Sequence, residues 1–229
     1  MTRNRPFDHA TPVPHPDRAR RRPGGGAAGL PDPGNGRNSA AGGPDLQPRH
    51  RPIERALRLP PRLLDAISLV ETGRWDAERR ASFAWPWTVY AEGKGRYRPT
   101  QAAAKAAAIA AVRRLQARGV RNIDVGCMQI NLHYHGDASA NLEQMFDPGR
   151  SVVYAARMLK QLRRVKRSWS RAVAIYHSST RALGRPYWKK VYAMWHRERR
   201  RAWDRLRMLR RDGYRERGRR VASRWTEGR

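Results

Sequence analysis

The chain has 229 residues, 49 Lys and Arg against 19 Asp and Glu, and a formal net charge of +30. That length fits one or two domains, and its 39% of hydrophobic residues falls below the roughly 45–50% of an average globular chain. No apolar run approaches the roughly 20 residues of a spanning helix, and a single cysteine, Cys127, excludes an internal disulfide and a cysteine-based zinc site.

The charge predicts an acidic partner. Nucleic acid is the commonest polyanion, but anionic cell-envelope polymers and lipid head groups answer to the same charge. The first fifty-odd residues alternate Pro12, Pro14, Pro16, Pro23, Pro31 and Pro33 with Gly24–Gly26, Gly34 and Gly36, and have few aliphatics. Such a segment buries too little apolar area to offset its chain entropy, so residues 1–55 are expected to be a disordered tail. A secretory signal is not expected there, because Arg20–Arg22 are followed by Pro and Gly rather than an apolar run.

Order is expected from about Leu59. Pro60 and Pro61 suit a helix entry, and Leu63, Leu64, Ile67, Leu69 and Val70 continue with helical spacing to a stop at Gly73. The aromatic and β-branched run Phe83–Tyr90, followed by Glu92-Gly-Lys-Gly95 and Tyr97, reads as one hairpin with a Gly-rich turn. Thr100–Arg118 is Ala-rich and helical, capped by Thr100 and ended by Gly119. Val120–Asn131 carries alternating apolar residues around Gly126. Asp147-Pro148 opens another helix, Trp169–His177 forms a short one, and Tyr187–Leu209 a longer one loaded with arginine. The pattern predicts a mainly α domain with a small β excursion over residues 56–197, and a basic, partly helical extension over 198–229.

Three places in that domain offer chemistry. Glu71 lies four residues after Ile67 and seven after Leu64, so it shares their apolar face. A carboxylate so placed is either paired or raised in pKa by desolvation, and a raised pKa suits a general acid near neutral pH. The alternative is a helix-end glutamate turned to solvent, or paired with Arg62 or Arg74. In Asp124-Val-Gly-Cys-Met-Gln-Ile-Asn131, Gly126 permits a close backbone approach, and Gln129 and Asn131 offer amides suited to sugar hydroxyls. The alternative is a turn in which Gln129 caps a neighbouring loop. In Ala172–Ser179, Tyr176 ends an apolar helix beside His177, Ser178 and Ser179; a core tyrosine with a polar tip is the competing reading. A Ser-His-Asp hydrolase is rejected, because no serine here sits in a strand–turn–helix nucleophile context. His133 and His135 lack a third ligand at a matching position, so no metal is expected, and Cys127 reads as a small buried residue.

Taken in this order, the pieces resemble a family. Leu-Val-Glu71-Thr72-Gly73 resembles the E-S-G motif of lytic transglycosylases with the soluble-transglycosylase (SLT, lysozyme-like) domain. Val125-Gly-Cys-Met-Gln-Ile-Asn131 is similar to that family's G-L-M-Q-I/V-N motif, and Ala174-Ile-Tyr-His-Ser178 to its A-Y-N or A-Y-H-S motif. Trp85-Pro-Trp-Thr with Glu92-Gly-Lys-Gly95, and the lead-in Ile123-Asp-Val-Gly126, resemble a bacterial branch. The likeness spans about Leu59 to Trp195. Thr72 stands where serine is usual, Cys127 where leucine is usual, and His177 where asparagine is commoner.

The resemblance implies a lysozyme-like fold and cleavage of the β-1,4 bond between N-acetylmuramic acid and N-acetylglucosamine in peptidoglycan, leaving 1,6-anhydromuramoyl ends. Glu71 would act as the single general acid and base. Gln129 and Tyr176 would contact the glycan, with Met128, Asn131 and Thr72 as further contacts. It implies no cofactor and no metal, peptidoglycan glycan strands as partner, a monomer, and a periplasmic or envelope location. The basic tails would hold anionic envelope polymers. Two other classes remain: a basic nucleic-acid-binding protein, which lacks a recognisable nucleic-acid module, and an inactive wall-binding scaffold, which an intact Glu71 disfavours.

Overall fold

The computed structural model describes residues 47–77, 80–96, 101–135 and 141–227. The protein is mainly helical with two small antiparallel sheets. Its elements run α1 (Gln47–Leu57), α2 (Leu63–Thr72), β1 (Gly73–Asp76), β2 (Ala81–Ala84), β3 (Val89–Ala91), β4 (Lys94–Arg96), α3 (Gln101–Ala117), β5 (Asp124–Val125), β6 (Ile130–Asn131), α4 (Leu142–Met145), α5 (Pro148–Lys166), α6 (Trp169–His177) and α7 (Arg181–Glu227). The expected tail up to residue 46, the cap at Thr100 and the role of Tyr97 lie outside the described residues. Among the described residues no helix is long and apolar enough to cross a membrane.

Helix α2 is the central element. Leu63, Leu64, Ala66 and Ile67 have no exposed surface, and each fully buried Leu or Ile contributes roughly 1.5–3 kcal/mol by leaving water. Around α2 pack α1 and α7, while α6 packs between α5 and α7. Val89 and Val125 from the larger sheet, Phe146, and Val152, Ala155, Ala156 and Leu159 from α5 complete the core. Local chemistry sets the helix starts. The Asp147 side chain accepts from the Arg150 N–H with Pro148 at the first helical position, and Ser168 accepts from the Arg171 N–H. The short α4, capped by Asn141, was not expected.

Several expectations need correction. Order begins before Leu59, because α1 occupies 47–57 and buries His50 and Glu54 to 1% and 2% exposure. A segment with so few aliphatics reads as tail by composition; it folds through buried polar contacts instead. The entry to α2 also differs. The helix starts after Pro60-Pro61, and its N-cap residue, Arg62, adopts a left-handed φ of 71° and supplies no side-chain cap. Glu54 of α1 caps the helix from outside: Oε2 accepts from the Arg62 N–H and Oε1 from the Leu64 N–H, both at 2.8 Å. These two backbone donors would otherwise be orphaned at a helix start. Beside them, Asp65 accepts from the Arg62 guanidinium and pairs with His50.

A further correction concerns the strands. Phe83–Tyr90 is not one arm of one hairpin. Proline cannot donate to a sheet ladder, and the run breaks at Trp85-Pro86-Trp87. Its first part, β2, pairs with β1 from Gly73↔Ala84 to Asp76↔Ala81. Its last part, β3, pairs with β4 across the expected turn, where Gly93 has a φ of 75°, and with β5, giving the order β4-β3-β5-β6. Thus Gly73 both ends α2 and begins a strand. Its N–H bonds the Leu69 carbonyl, and a Cβ there would collide with that same carbonyl. Finally, α7 begins at Arg181 rather than Tyr187 and runs unbroken to Glu227, a length of roughly 70 Å at 1.5 Å per residue.

Candidate functional site

Glu71 stands one residue from the C-terminal end of α2. Helical periodicity turns it toward the face of Leu64 and Ile67, yet the end of the helix leaves it half-buried rather than sealed. The Tyr187 hydroxyl, from α7, donates to Oε1 of Glu71 at 2.5 Å. Burial pushes the Glu71 carboxyl up to about 8; the Tyr187 hydrogen bond and the charge of Lys190 pull it down, while the charge of Asp124 pushes it up. Desolvation wins, so the carboxyl is mostly protonated at neutral pH. Arg62 sits at the opposite end of α2, where its guanidinium donates to Asp65; the groups acting on Glu71 are Tyr187, Asp124 and Lys190.

The turn between β5 and β6 lies against the same end of α2. Gly126 there has a φ of 78°, and a Cβ would sit 3.3 Å from the Ser151 hydroxyl oxygen, so conformation and space both call for glycine. Two side chains clasp the turn. The Thr72 hydroxyl lies 3.3 Å from the Cys127 carbonyl and 3.2 Å from the Ser68 carbonyl, sharing one hydrogen between them. The Tyr176 hydroxyl, from α6, donates to the Met128 carbonyl at 2.6 Å. Its phenol is pushed well above its usual value by burial and then by the charge of Glu71. The Tyr187 phenol is raised by the same two causes in the same order. Glu71, Tyr176 and Tyr187 therefore feel one another.

The expected contact residues divide by exposure. Gln129 and Tyr176 are half-buried and keep a surface to offer. The Gln129 amide nitrogen donates to the Gly126 carbonyl at 2.9 Å, within its own turn. Among the described residues its amide oxygen has no partner. Thr72, Met128 and Asn131 are 1%, 0% and 3% exposed, so their side chains offer little surface in this structure and are engaged within the fold. Thr72 fastens the turn, and Met128 fills the core and accepts through its carbonyl. The Asn131 amide nitrogen donates to Asn122 and Asp124, and its oxygen accepts from the His133 and Tyr134 N–H groups. It pins the strand end and with it Asp124.

Tyr187 is the site residue that the sequence reading placed only as a helix start. A usable signal was present: Tyr187 and Val191 share one stripe of α7, three and seven residues after Gly184. Gly184 lets α7 cross the end of α6 closely, since a Cβ there would come within 2.7 Å of the Ala174 carbonyl oxygen and 2.8 Å of that of Ser178. His177, the last residue of α6, lies flat on the Tyr187 ring, with centroids 4.3 Å apart and planes 4° from parallel. Elsewhere, His135 pairs with the Tyr154 hydroxyl, and burial pushes the Cys127 thiol up to about 12, which makes it inert. Among the described residues no three His, Cys, Asp or Glu side chains converge to hold a metal.

Chemically, the site is one protonated carboxyl with one oxygen anchored by a phenol and an open side, flanked by a glycine turn and a second tyrosine. Comparison with known protein families, with curated proteins and with solved structures finds no match for this chain.

Proposed function

We propose that the protein is a peptidoglycan lytic transglycosylase with a lysozyme-like catalytic body, acting on the β-1,4 bond between N-acetylmuramic acid and N-acetylglucosamine. The observation that carries this reading is Glu71: a half-open carboxyl at the end of a buried helix, raised to about 8 and held on one oxygen by Tyr187. With Oε1 occupied by a donor, the acid proton belongs on Oε2. There it is placed to pass to the glycosidic oxygen as the C1–O bond breaks. The resulting carboxylate then takes the proton of the muramoyl C6 hydroxyl, whose oxygen closes on C1. The 2-acetamido oxygen of the substrate covers C1 in between, so no second carboxylate is needed. Asp124, the other carboxylate acting on Glu71, is 3% exposed and accepts from Asn131, which leaves it poorly placed to activate water. Gln129 and Tyr176 are the glycan contacts we assign. The ordered motif resemblance supports the same reading, and with it a monomer working on glycan strands in the periplasm or envelope.

The test is mass spectrometry of products released from purified sacculi by the full chain. Muropeptides one water lighter than hydrolytic products, carrying 1,6-anhydro ends, are expected, and none from Glu71→Gln. Reducing ends alone would make the protein a hydrolytic muramidase. Wild-type release by the Glu71→Gln variant would end the assignment, and a wild-type chain that binds sacculi without releasing products would be a scaffold.

A further inference from the structure

The geometry points to His177 as a positioning residue that acts through Tyr187: its imidazole, stacked face to face on the phenol ring, sets the plane from which the Tyr187 hydroxyl meets Glu71. The chain of contact is short and continuous. His177 closes α6 and lies 4.3 Å above the Tyr187 ring at an angle of 4°. Tyr187 is 5% exposed, and its hydroxyl donates to Glu71 Oε1. Rotation about Cα–Cβ swings the Tyr187 hydroxyl on an arc, while rotation about Cβ–Cγ turns the ring plane in which the O–H prefers to lie and leaves the oxygen in place; a ring stacked on one face limits both. Parallel aromatic stacking restrains tilt and leaves in-plane donation untouched.

The backbone holds the stack in place. Gly184 brings α7 against the Ala174 and Ser178 carbonyls at the end of α6, and the Ser178 hydroxyl accepts from the Thr180 N–H in the connection. The neighbouring residue, Tyr176, points its hydroxyl to the Met128 carbonyl. Successive residues at the end of α6 thus serve the two sides of the site: Tyr176 the turn, His177 the donor to the carboxyl. An amide at position 177 would present no ring face to the phenol.

The kinetic arm of the test rests on the proposed glycan cleavage; a second arm does not. The groups facing Glu71 are Tyr187 and Lys190 from α7, Tyr176 from α6 and Asp124 from β5. Of these, the Tyr187 hydrogen bond is what a loosened ring removes. A donated hydrogen bond stabilises the carboxylate, so its loss raises the Glu71 pKa and moves the falling, alkaline limb of the rate profile to higher pH. In the full-length His177→Ala variant we expect kcat on soluble glycan fragments about tenfold lower with little change in KM, and that limb displaced upward. The His177→Phe variant, which restores a flat ring, should recover both. Independently of turnover, the side-chain carboxyl carbon of Glu71, observed by NMR in ¹³C-labelled protein, should titrate at higher pH in His177→Ala than in wild type or His177→Phe. An unmoved Glu71 titration in His177→Ala, or a loss that the phenylalanine does not rescue, overturns the role. Absence of glycan cleavage by the wild type would sink the proposed function while the titration still decides this one.

Discussion

A glutamate of raised pKa stands at each end of helix α2, and the two are used differently. At its start, the Glu54 carboxyl from α1 is 2% exposed and raised to about 7 by burial, against backbone hydrogen bonds from Leu64, Arg62 and Leu63 that pull it down. At its finish, Glu71 is raised to about 8 by burial, against one phenol donor. By pKa alone, either is a candidate acid. Occupancy separates them. Both Glu54 oxygens face backbone donors, so its capacity is spent on ending a helix. Glu71 has one oxygen held and part of its surface open. Under the proposed function, the carboxyl with an oxygen left over does the chemistry, and the one with both oxygens occupied does architecture.

The sharpest way to break that comparison is to swap each acid for its amide. Glu71→Gln should cost at least roughly 10²–10⁴-fold in turnover, since an amide cannot alternate between acid and base. Its thermal stability should hold or rise, because a desolvated ionisable group is removed. Glu54→Gln should do the reverse. It places an N–H₂ where a backbone N–H already points, leaving a buried donor unsatisfied at about 1–3 kcal/mol; the melting temperature falls and the folded fraction keeps its turnover. If Glu54→Gln abolished turnover in a stably folded protein, the division of labour would be wrong.

The next test moves the chain start. A chain beginning at residue 47 keeps α1, whereas one beginning at 56 loses the Glu54 cap together with the His50–Asp65 pair. The second leaves Asp65, which is fully buried, without its histidine partner, and such losses cost several kcal/mol. Circular dichroism melts of the two should differ by a large margin. Equal stability would mean that α1 is an ornament.

A smaller effect lies in pH. Glu54 and Glu71 both have folded pKa values above the ordinary 4.5. Each binds its proton more tightly folded than unfolded, so the stability it contributes is present below about 4.5 and is lost as pH rises through about 7 and 8 respectively. Asp65, held low by His50 and Arg62 despite its burial, works in the opposite sense and loses its contribution as pH falls below its ordinary range. Chemical denaturation from pH 5 to 8 should show wild type losing stability, and Glu54→Gln losing less of it. A steeper fall in the variant would contradict the sign.

What was legible in the sequence follows the same division. Glu71 could be read because periodicity puts it on the face of Leu64 and Ile67, and α5 and α6 because Asp147-Pro148 and Ser168 are local signals that act within one turn. The Gly126 turn was legible for the same reason. Glu54 and Tyr187 were not, because each acts on a different element from its own: Glu54 on the start of the next helix, 8 and 10 residues on, and Tyr187 on Glu71 across 116 residues. Periodicity says that such a side chain faces inward but not what it meets. Thr72, Met128 and Asn131 sit in motif positions, yet the turn they build consumes their polar atoms.

The smallest expected effect separates the body from the far end of α7. Glu198 is the last buried residue of that helix as far as Arg217, and from Trp203 onward almost every side chain is exposed, including Trp203 at 58% and Tyr214 at 70%. After Lys190 every Lys or Arg position is arginine, whose planar fork suits carboxylates and phosphates bidentately, and Arg217 lies over the Tyr214 ring at 4.8 Å. The groups acting on Glu71, namely Tyr187, Asp124 and Lys190, all precede this stretch. Ending the chain at residue 211 should leave cleavage of short soluble glycan fragments within about twofold of wild type, as for surface changes remote from a site. The same change should weaken retention on sacculi at low salt. It should matter little at high salt, where exposed charges are screened beyond about 3 Å at 1 M. Pull-down at two salt concentrations, set beside rates on soluble fragments, reads both halves. Parallel binding to duplex DNA shows whether the arm prefers a nucleic acid to the wall. Loss of soluble-fragment activity in a folded, shortened chain would place the arm inside the site and erase the boundary between the two regions.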